Sequence, residues 1–298
     1  MKVAIIGCGE VGRAYASAAH GAGMDVVLID PSPARATVSL ALDLGLTLHS
    51  SPTGCVADVD RVWICVSGDL TVAVCDGLLG QLPATALVVD LTTAAAADKL
   101  HCSRSFQGSG VGYVDGAIMG AVGATGSRTA LLGAGVRAAE ALADFAEFGA
   151  PVSWLDDSTP GDAATIKLLR TILTKGLESL AVECLMAAEQ EGLRQQLYAV
   201  LGDVDDSGFV NFLNMLVRTH VQHANRRLHE VQRAQAQLTE LGCPSVVLPG
   251  SEARFRVTSQ ALATDPPEAD IGFDVDAALV WLLANGRVPQ DLAEESLS

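Results

Sequence analysis

Lysine is the scarcest charged residue of this 298-residue chain, with four lysines against fifteen arginines. Other absences set limits. Seven cysteines stand singly at positions 8, 55, 65, 75, 102, 184 and 243, with no C-x-x-C pair, and no H-E-x-x-H occurs. That pattern speaks against a zinc or other metal site and for reduced core thiols. No apolar run lasts long enough without a charge to span a bilayer, so no membrane partner is expected. A formal charge of -16 leaves no basic surface for a nucleic-acid backbone. It also means that an anionic small molecule must be held by local positive groups, because the overall field repels it.

What is present is a globular profile, 49% hydrophobic and 18% charged, over a length that suits two domains. The opening MKVAIIGCGEVG has a short apolar core before a glycine turn, unlike a signal peptide, so a cytoplasmic protein is expected. Up to about residue 157, β-rich runs alternate with alanine-rich helical stretches: VAIIG (3–7), DVVLID (25–30), RVWICVS (61–67), ALVVDLTT (86–93), GYVDGAIM (112–119), TALLGAG (129–135) and PVSWLD (151–156). That rhythm predicts a parallel sheet with crossover helices. After Pro160 the rhythm becomes helical, at roughly 162–191, 207–241, 251–263 and 274–285. The fold class expected is α/β: a doubly wound Rossmann domain over 1–159, then an all-α domain over 160–298. The tail RVPQDLAEESLS reads as polar and frayed.

Gly7-Cys8-Gly9-Glu10-Val11-Gly12 follows a strand and opens a helical pattern, the context that gives G-x-G-x-x-G its meaning. The first glycine allows the tight turn, the second lets backbone approach a pyrophosphate, and the third brings helix and strand close. The competing reading is a structural glycine turn. Asp30 stands twenty-three residues after Gly7, where a carboxylate accepts ribose hydroxyls and repels a 2′-phosphate. NAD is therefore expected over NADP, although nearby Arg35 can admit the phosphate. Asp30 can equally be a helix cap before PSPAR.

GDAATIKLLRTILTKG (161–176) sets Lys167 and Lys175 among apolar residues, where an ammonium is costly to bury. Oxidising an alcohol requires a base for the hydroxyl proton, and the reverse reaction an acid at the carbonyl oxygen. Lysine can serve both if desolvation and a like charge lower its pKa; arginine does not deprotonate. Arg170 and Lys175 are the candidate like charges. At about 100° per residue Thr171 lies roughly 40° from Lys167 and Thr174 roughly 20° on the other side, so the three share a stripe. Lys175 can bind a substrate anion at the pocket edge or snorkel to solvent. The plain alternative for Lys167 is a solvated lysine on a helix face. Arg218, His220, His223, Arg226, Arg227 and His229 form a basic patch. It suits substrate-anion capture at an interdomain cleft or salt bridging to Glu230, Glu240 or a partner subunit, the latter slightly favoured.

With the glycine loop, VVDLTT (88–93), YVDGAIMGAVG (113–123) and the Gly161-to-Lys167 spacing in this order, the chain resembles the β-hydroxyacid dehydrogenase family, which includes 3-hydroxyisobutyrate and 6-phosphogluconate dehydrogenases. The second half, with HVQHANRRLHEVQ (220–232), resembles a less studied branch. The resemblance implies hydride transfer between nicotinamide and a small, anionic hydroxy acid or its oxo or semialdehyde counterpart. It makes Lys167 the general acid/base with Thr171 beside it, where the family has asparagine. Cofactor would be held by Gly7, Gly9, Glu10, Val11, Gly12, Asp30, Val66, Ser67 and Thr92. Substrate would be held by Thr93, Gly116, Ala117, Met119, Gly120, Lys175 and His220, Met119 standing where the family's loop carries a serine. Apolar helices in the second half suggest a homodimer. Two rivals remain open: an imine reductase on the same scaffold, a group that tends to lack the lysine, and an NAD(H)-sensing protein without turnover.

Overall fold

The computed structural model describes residues 1–267 and 274–287. The expected frayed tail lies, beyond Arg287, outside the described residues. The chain falls into two compact units, Met1–Ile172 and the residues from Leu173 onward.

In the first unit, strands β1 (Lys2–Ile6), β2 (Asp25–Ile29), β3 (Thr47–His49), β4 (Arg61–Ile64), β5 (Leu87–Asp90), β6 (Gly112–Ile118), β7 (Leu131–Ala134) and β8 (Val152–Trp154) form an eight-stranded sheet. Their order is β3-β2-β1-β4-β5-β6-β7-β8. The connecting helices are α1 (Glu10–Gly21), α2 (Arg35–Leu44), α3 (Thr71–Leu78), α4 (Ala96–Ser105), the single-turn α5 (Val122–Thr125) and α6 (Ala138–Ala146). Side chains alternate across the pleat, so each central strand feeds two cores. Val3 and Ile5 of β1, with Val26 and Leu28 of β2, join Tyr15 of α1 and Phe145 of α6 on one face. Ala4, Ile6, Val27 and Ile29 join Cys75 and Leu78 of α3 and Cys102 of α4 on the other. Both faces are thus covered, which is why the strands read as continuous apolar runs. On the first face the ring of Trp63 of β4 lies tilted against that of Phe145 at 4.6 Å, and Phe145 meets Tyr15 edge-on at 5.0 Å.

Two features depart from the expected parallel sheet. β3 is three residues long, too short for a periodic signal. β7 runs antiparallel to β6. A parallel return needs a crossover layer, whereas the segment between β6 and β7 holds only short turns and closes on itself with Met119 N donating to Ala130 O at 2.8 Å.

Lys99 of α4 is fully buried. Its Nζ donates to Asp115 Oδ1 of β6 at 2.7 Å and to the Asp90 carbonyl of β5 at 3.0 Å. Asp90 and Asp115 are likewise at 0% exposure. Asp90 Oδ1, 3.6 Å from Nζ, accepts from Thr92 N, and Oδ2 accepts from Tyr113 Oη at 2.6 Å. Asp115 Oδ2 accepts from Gly161 N at 3.0 Å and Ala164 N at 2.9 Å.

Those two amides belong to the start of α7 (Asp162–Gln190), whose later turns continue into the second unit. There follow α8 (Arg194–Val200), α9 (Gly202–Ser207), α10 (Phe209–Glu240), α11 (Leu248–Thr264) and α12 (Val275–Asn285). Val221 of α10 packs with Ala278 and Trp281 of α12. Glu183 of α7 accepts from Val246 N at 2.8 Å and Val247 N at 3.1 Å, capping the approach to α11. No helix among the described residues is long and apolar enough to cross a membrane.

Removing one partner of a buried ion cluster strands the opposite charge. Lys99→Met is therefore expected to lower stability by about 3–5 kcal/mol, read by urea denaturation of the full chain. A loss comparable to that of a surface lysine would show that the carboxylates do not depend on Lys99.

Candidate functional site

The glycine loop turns sharply out of β1. Gly7 has φ +86°, which a side chain rarely tolerates, and its N–H donates to Ile29 O at 2.9 Å. A Cβ at Gly12 would stand 2.1 Å from Gly7 O, so only glycine lets α1 approach the turn. A Cβ at Gly9 would meet nothing within 4 Å: backbone faces open space above the uncapped start of α1. Free amides at a helix N-terminus beside open backbone make a cradle suited to a pyrophosphate. Asp30 Oδ2 accepts from Cys8 N and Oδ1 from Ser32 N, each at 2.9 Å, so this carboxylate fixes the loop. The helix it was weighed as capping, α2, instead has Ala34 at its N-cap.

Two adjoining cavities lie beyond the loop in the same unit. The smaller, about 240 Å³, is walled by Glu10, Val11, Val66 and Gly120, and the larger, about 400 Å³, by Ala94 to Ala96, Ala117, Thr165 and Thr171. Thr92, Thr93 and Lys167 are on both walls. A roomier apolar cavity of about 700 Å³ sits in the second unit among α7, α8 and α10, but it is lined by none of the glycine-loop residues, so its size does not mark the site. Ser67, Gly116 and Met119, also expected to line the nicotinamide and substrate space, are on neither wall. Ser67 precedes the 3-10 turn Gly68–Leu70. Gly116 is buried in β6, where a Cβ would come 2.9 Å from Leu91 Cδ2. Met119 packs on the cluster of Ala117, Leu132 and Ala163.

Lys167 is half-buried, and its pKa is lowered, first by burial and then by the Lys99 ammonium, with Asp115 opposing. The like charge is thus Lys99, not Arg170 or Lys175 as the helix spacing suggested. Thr71 Oγ1 donates to Thr92 Oγ1 at 2.8 Å, fixing that side chain. Thr171 Oγ1 donates to Lys167 O at 2.9 Å, one turn back. Lys175, in the second unit, is exposed and paired with Glu178 at 2.6 Å. The basic patch is divided among local contacts: Arg226 pairs with Glu230 at 2.6 Å, Arg227 Nη2 donates to Thr219 Oγ1, and His229 meets Gln232. His220 Nε2 lies 2.8 Å from Thr258 Oγ1, with its ring 4.8 Å from that of Phe255.

A sequence profile for the NAD binding domain of 6-phosphogluconate dehydrogenase matches residues 2–154, just over half of the chain. The chain belongs to that family. Its first unit is accordingly an NAD-binding domain, and the family is one of oxidoreductases. A second profile, described as a domain of unknown function (DUF1932), matches residues 188–258. A curated relative, an uncharacterized 28.5 kDa protein of Methanothermus fervidus, is 31% identical over 85 residues, 28% of this chain. The match spans about a third of that relative, 34%. Among solved structures, the conserved protein MTH1747, reported as similar to 3-hydroxyacid dehydrogenases, superposes with TM-score 0.60 at 24% identity, covering 94% of this chain and 99% of its own. A variant imine reductase of Myxococcus stipitatus in complex with NAD+ gives TM-score 0.72 at 18% identity, covering 93% and 98%. At such identities the likeness is one of fold.

The residues that sequence reasoning missed are Asp90, Lys99 and Asp115. A signal was present for the two carboxylates, which end or interrupt the apolar strands LVVD and GYVDGAI.

Burial, with Arg254 and Arg227, pushes the His220 pKa down to about 4. Between the unfolded value of about 6.5 and that folded value, the unfolded chain binds a proton here that the folded chain does not. Stability should therefore fall as pH drops through this window, and His220→Gln should flatten that part of the stability curve relative to wild type. Parallel curves would remove His220 as the cause.

Proposed function

We propose that this chain is an oxidoreductase that transfers hydride between NAD and a small hydroxy acid or its oxo or semialdehyde counterpart, with Lys167 as general acid/base. The observation that carries this is the position of Lys167, an amine of lowered pKa on the walls of both cavities, beside Thr92 and Thr93. The cradle above Gly9 fits a dinucleotide, and Asp30 at the end of β2 favours ribose hydroxyls over a 2′-phosphate, hence NAD over NADP.

NAD, when bound, supplies the hydride acceptor. In oxidation the neutral Lys167 Nζ takes the hydroxyl proton as hydride leaves the same carbon, and in reduction the ammonium returns that proton to the carbonyl oxygen. Lowered proton affinity makes the neutral amine easier to reach than in a free lysine. Thr92 and Thr93 stand on the walls of both cavities, beside the amine. Ala95 and Ala96, at the uncapped start of α4, offer backbone donors to an anionic substrate.

We also propose a homodimer. In the 29-residue α7, Ala163 is the one buried residue, while Leu177, Val182 and Met186 are each half exposed or more.

Side-by-side turnover of wild type and Lys167→Ala with NADH against small oxo acids and semialdehydes tests the catalytic reading. Loss of about 10²-fold or more in kcat with cofactor binding retained is expected. Carbonyl reduction should fall as pH rises through the Lys167 pKa, and oxidation should rise. Equal turnover by the variant, above all on cyclic imines, would favour imine reduction; tight NADH binding without hydride transfer to any carbonyl would favour a sensor. Light scattering on the same wild-type samples should give twice 30.8 kDa.

A further inference from the structure

Burying an ammonium completely is costly, and this chain does so once among its four lysines, at Lys99. Methionine would fill the space without the charge. Lys99 instead meets Asp115, and both Asp115 oxygens are committed: Oδ1 to Lys99 at 2.7 Å, Oδ2 to the amides of Gly161 at 3.0 Å and Ala164 at 2.9 Å. The start of α7 is thereby tied to β6. It is seated equally closely on α4, because a Cβ at Gly161, where φ is +109°, would come 2.7 Å from Ala96 O. Lys167 follows Ala164 by about one helical turn. Ala117, two residues beyond Asp115 and so on the same face of β6, stands on the wall of the larger cavity. The third member, Asp90, fixes Thr92, another wall residue, through Thr92 N at 2.9 Å.

From this cluster we infer that Lys99 and Asp115 are positioning residues for Lys167: Asp115 sets where the amine stands, and the two buried charges, opposite in sign, set how readily it holds a proton. The inference rests on the acid/base reading of Lys167 above. The groups that act on the amine are Lys99 from α4 and Asp115 from β6, and Glu10 from α1 shares the wall of the smaller cavity with it. Asp90 acts on it through Lys99. Burial and Lys99 lower the Lys167 pKa and Asp115 raises it.

Four lysines make the test direct. In full-length protein labelled with ¹³C-lysine, the Lys167 Cε resonance, assigned by its absence from Lys167→Ala, is titrated in wild type and three variants. Lys99→Gln should raise the Lys167 midpoint and Asp115→Asn should lower it, each by about one pH unit. The double variant should lie between the two. An unmoved midpoint in both single variants, or shifts of one sign in both, would overturn the inference. Should Lys99→Gln fail to fold, Asp115→Asn and the double variant carry the same sign test. Adding Lys99→Gln to Asp115→Asn must then raise the midpoint, and no change or a fall overturns the inference. The titration needs no substrate. Retention of full turnover by Lys167→Ala would end the catalytic reading without touching the titration result, so the two failures are distinguishable.

Discussion

A lysine held at zero exposure between two carboxylates is the constraint on which the site depends. The two carboxylates answer the ammonium and turn their other acceptor sites to groups that must be held still. Asp90 holds Thr92 and the Tyr113 hydroxyl; Asp115 holds the first turn of α7. A buried ion cluster is rarely a net source of stability compared with a well-packed apolar one. Its use here is geometric and electrostatic: it brings β5, β6, α4 and α7 to one point and sets charges of both signs near Lys167.

The cofactor side follows a different logic, in which steric room does the work. Gly7 and Gly12 are glycine because strand, turn and helix touch, and Gly9 because the backbone above it must stay open. Asp30 uses one oxygen on the glycine loop's Cys8 amide and the other on the Ser32 amide, and a carboxylate oxygen accepts more than one donor, so loop support and ribose recognition are compatible in one residue. Lysine chemistry and glycine geometry meet at Thr92 and Thr93, where the two cavities join.

Much of this was legible in the sequence, and the exceptions have physical causes. β1, β2, β4 and β5 announce themselves as apolar runs because both faces of the sheet are covered. β3 does not, since three residues carry no period, and the direction of β7 is set by the length of its link rather than by its composition. Lys167 was legible as an amine misplaced among leucines. Lys99 was not, because DKLHCSR reads as an ordinary helix surface, and nothing local tells that α4 turns residue 99 toward the sheet. Gly116 looked like a substrate contact and is instead room for Leu91. Met119 likewise packs on an apolar cluster instead of lining a cavity.

The most direct test of the central claim, that Lys167 is a desolvated amine at the cofactor's edge, is trace acylation of the native chain across a pH series. Labelling of each lysine would be read by mass spectrometry with and without NAD+. The account predicts that Lys167 reacts with a midpoint below that of a lysine in an unstructured peptide, about 10.4, and that NAD+ shields it while leaving Lys175 unaffected. A Lys167 that titrates like the free peptide and is labelled equally with and without NAD+ would contradict it.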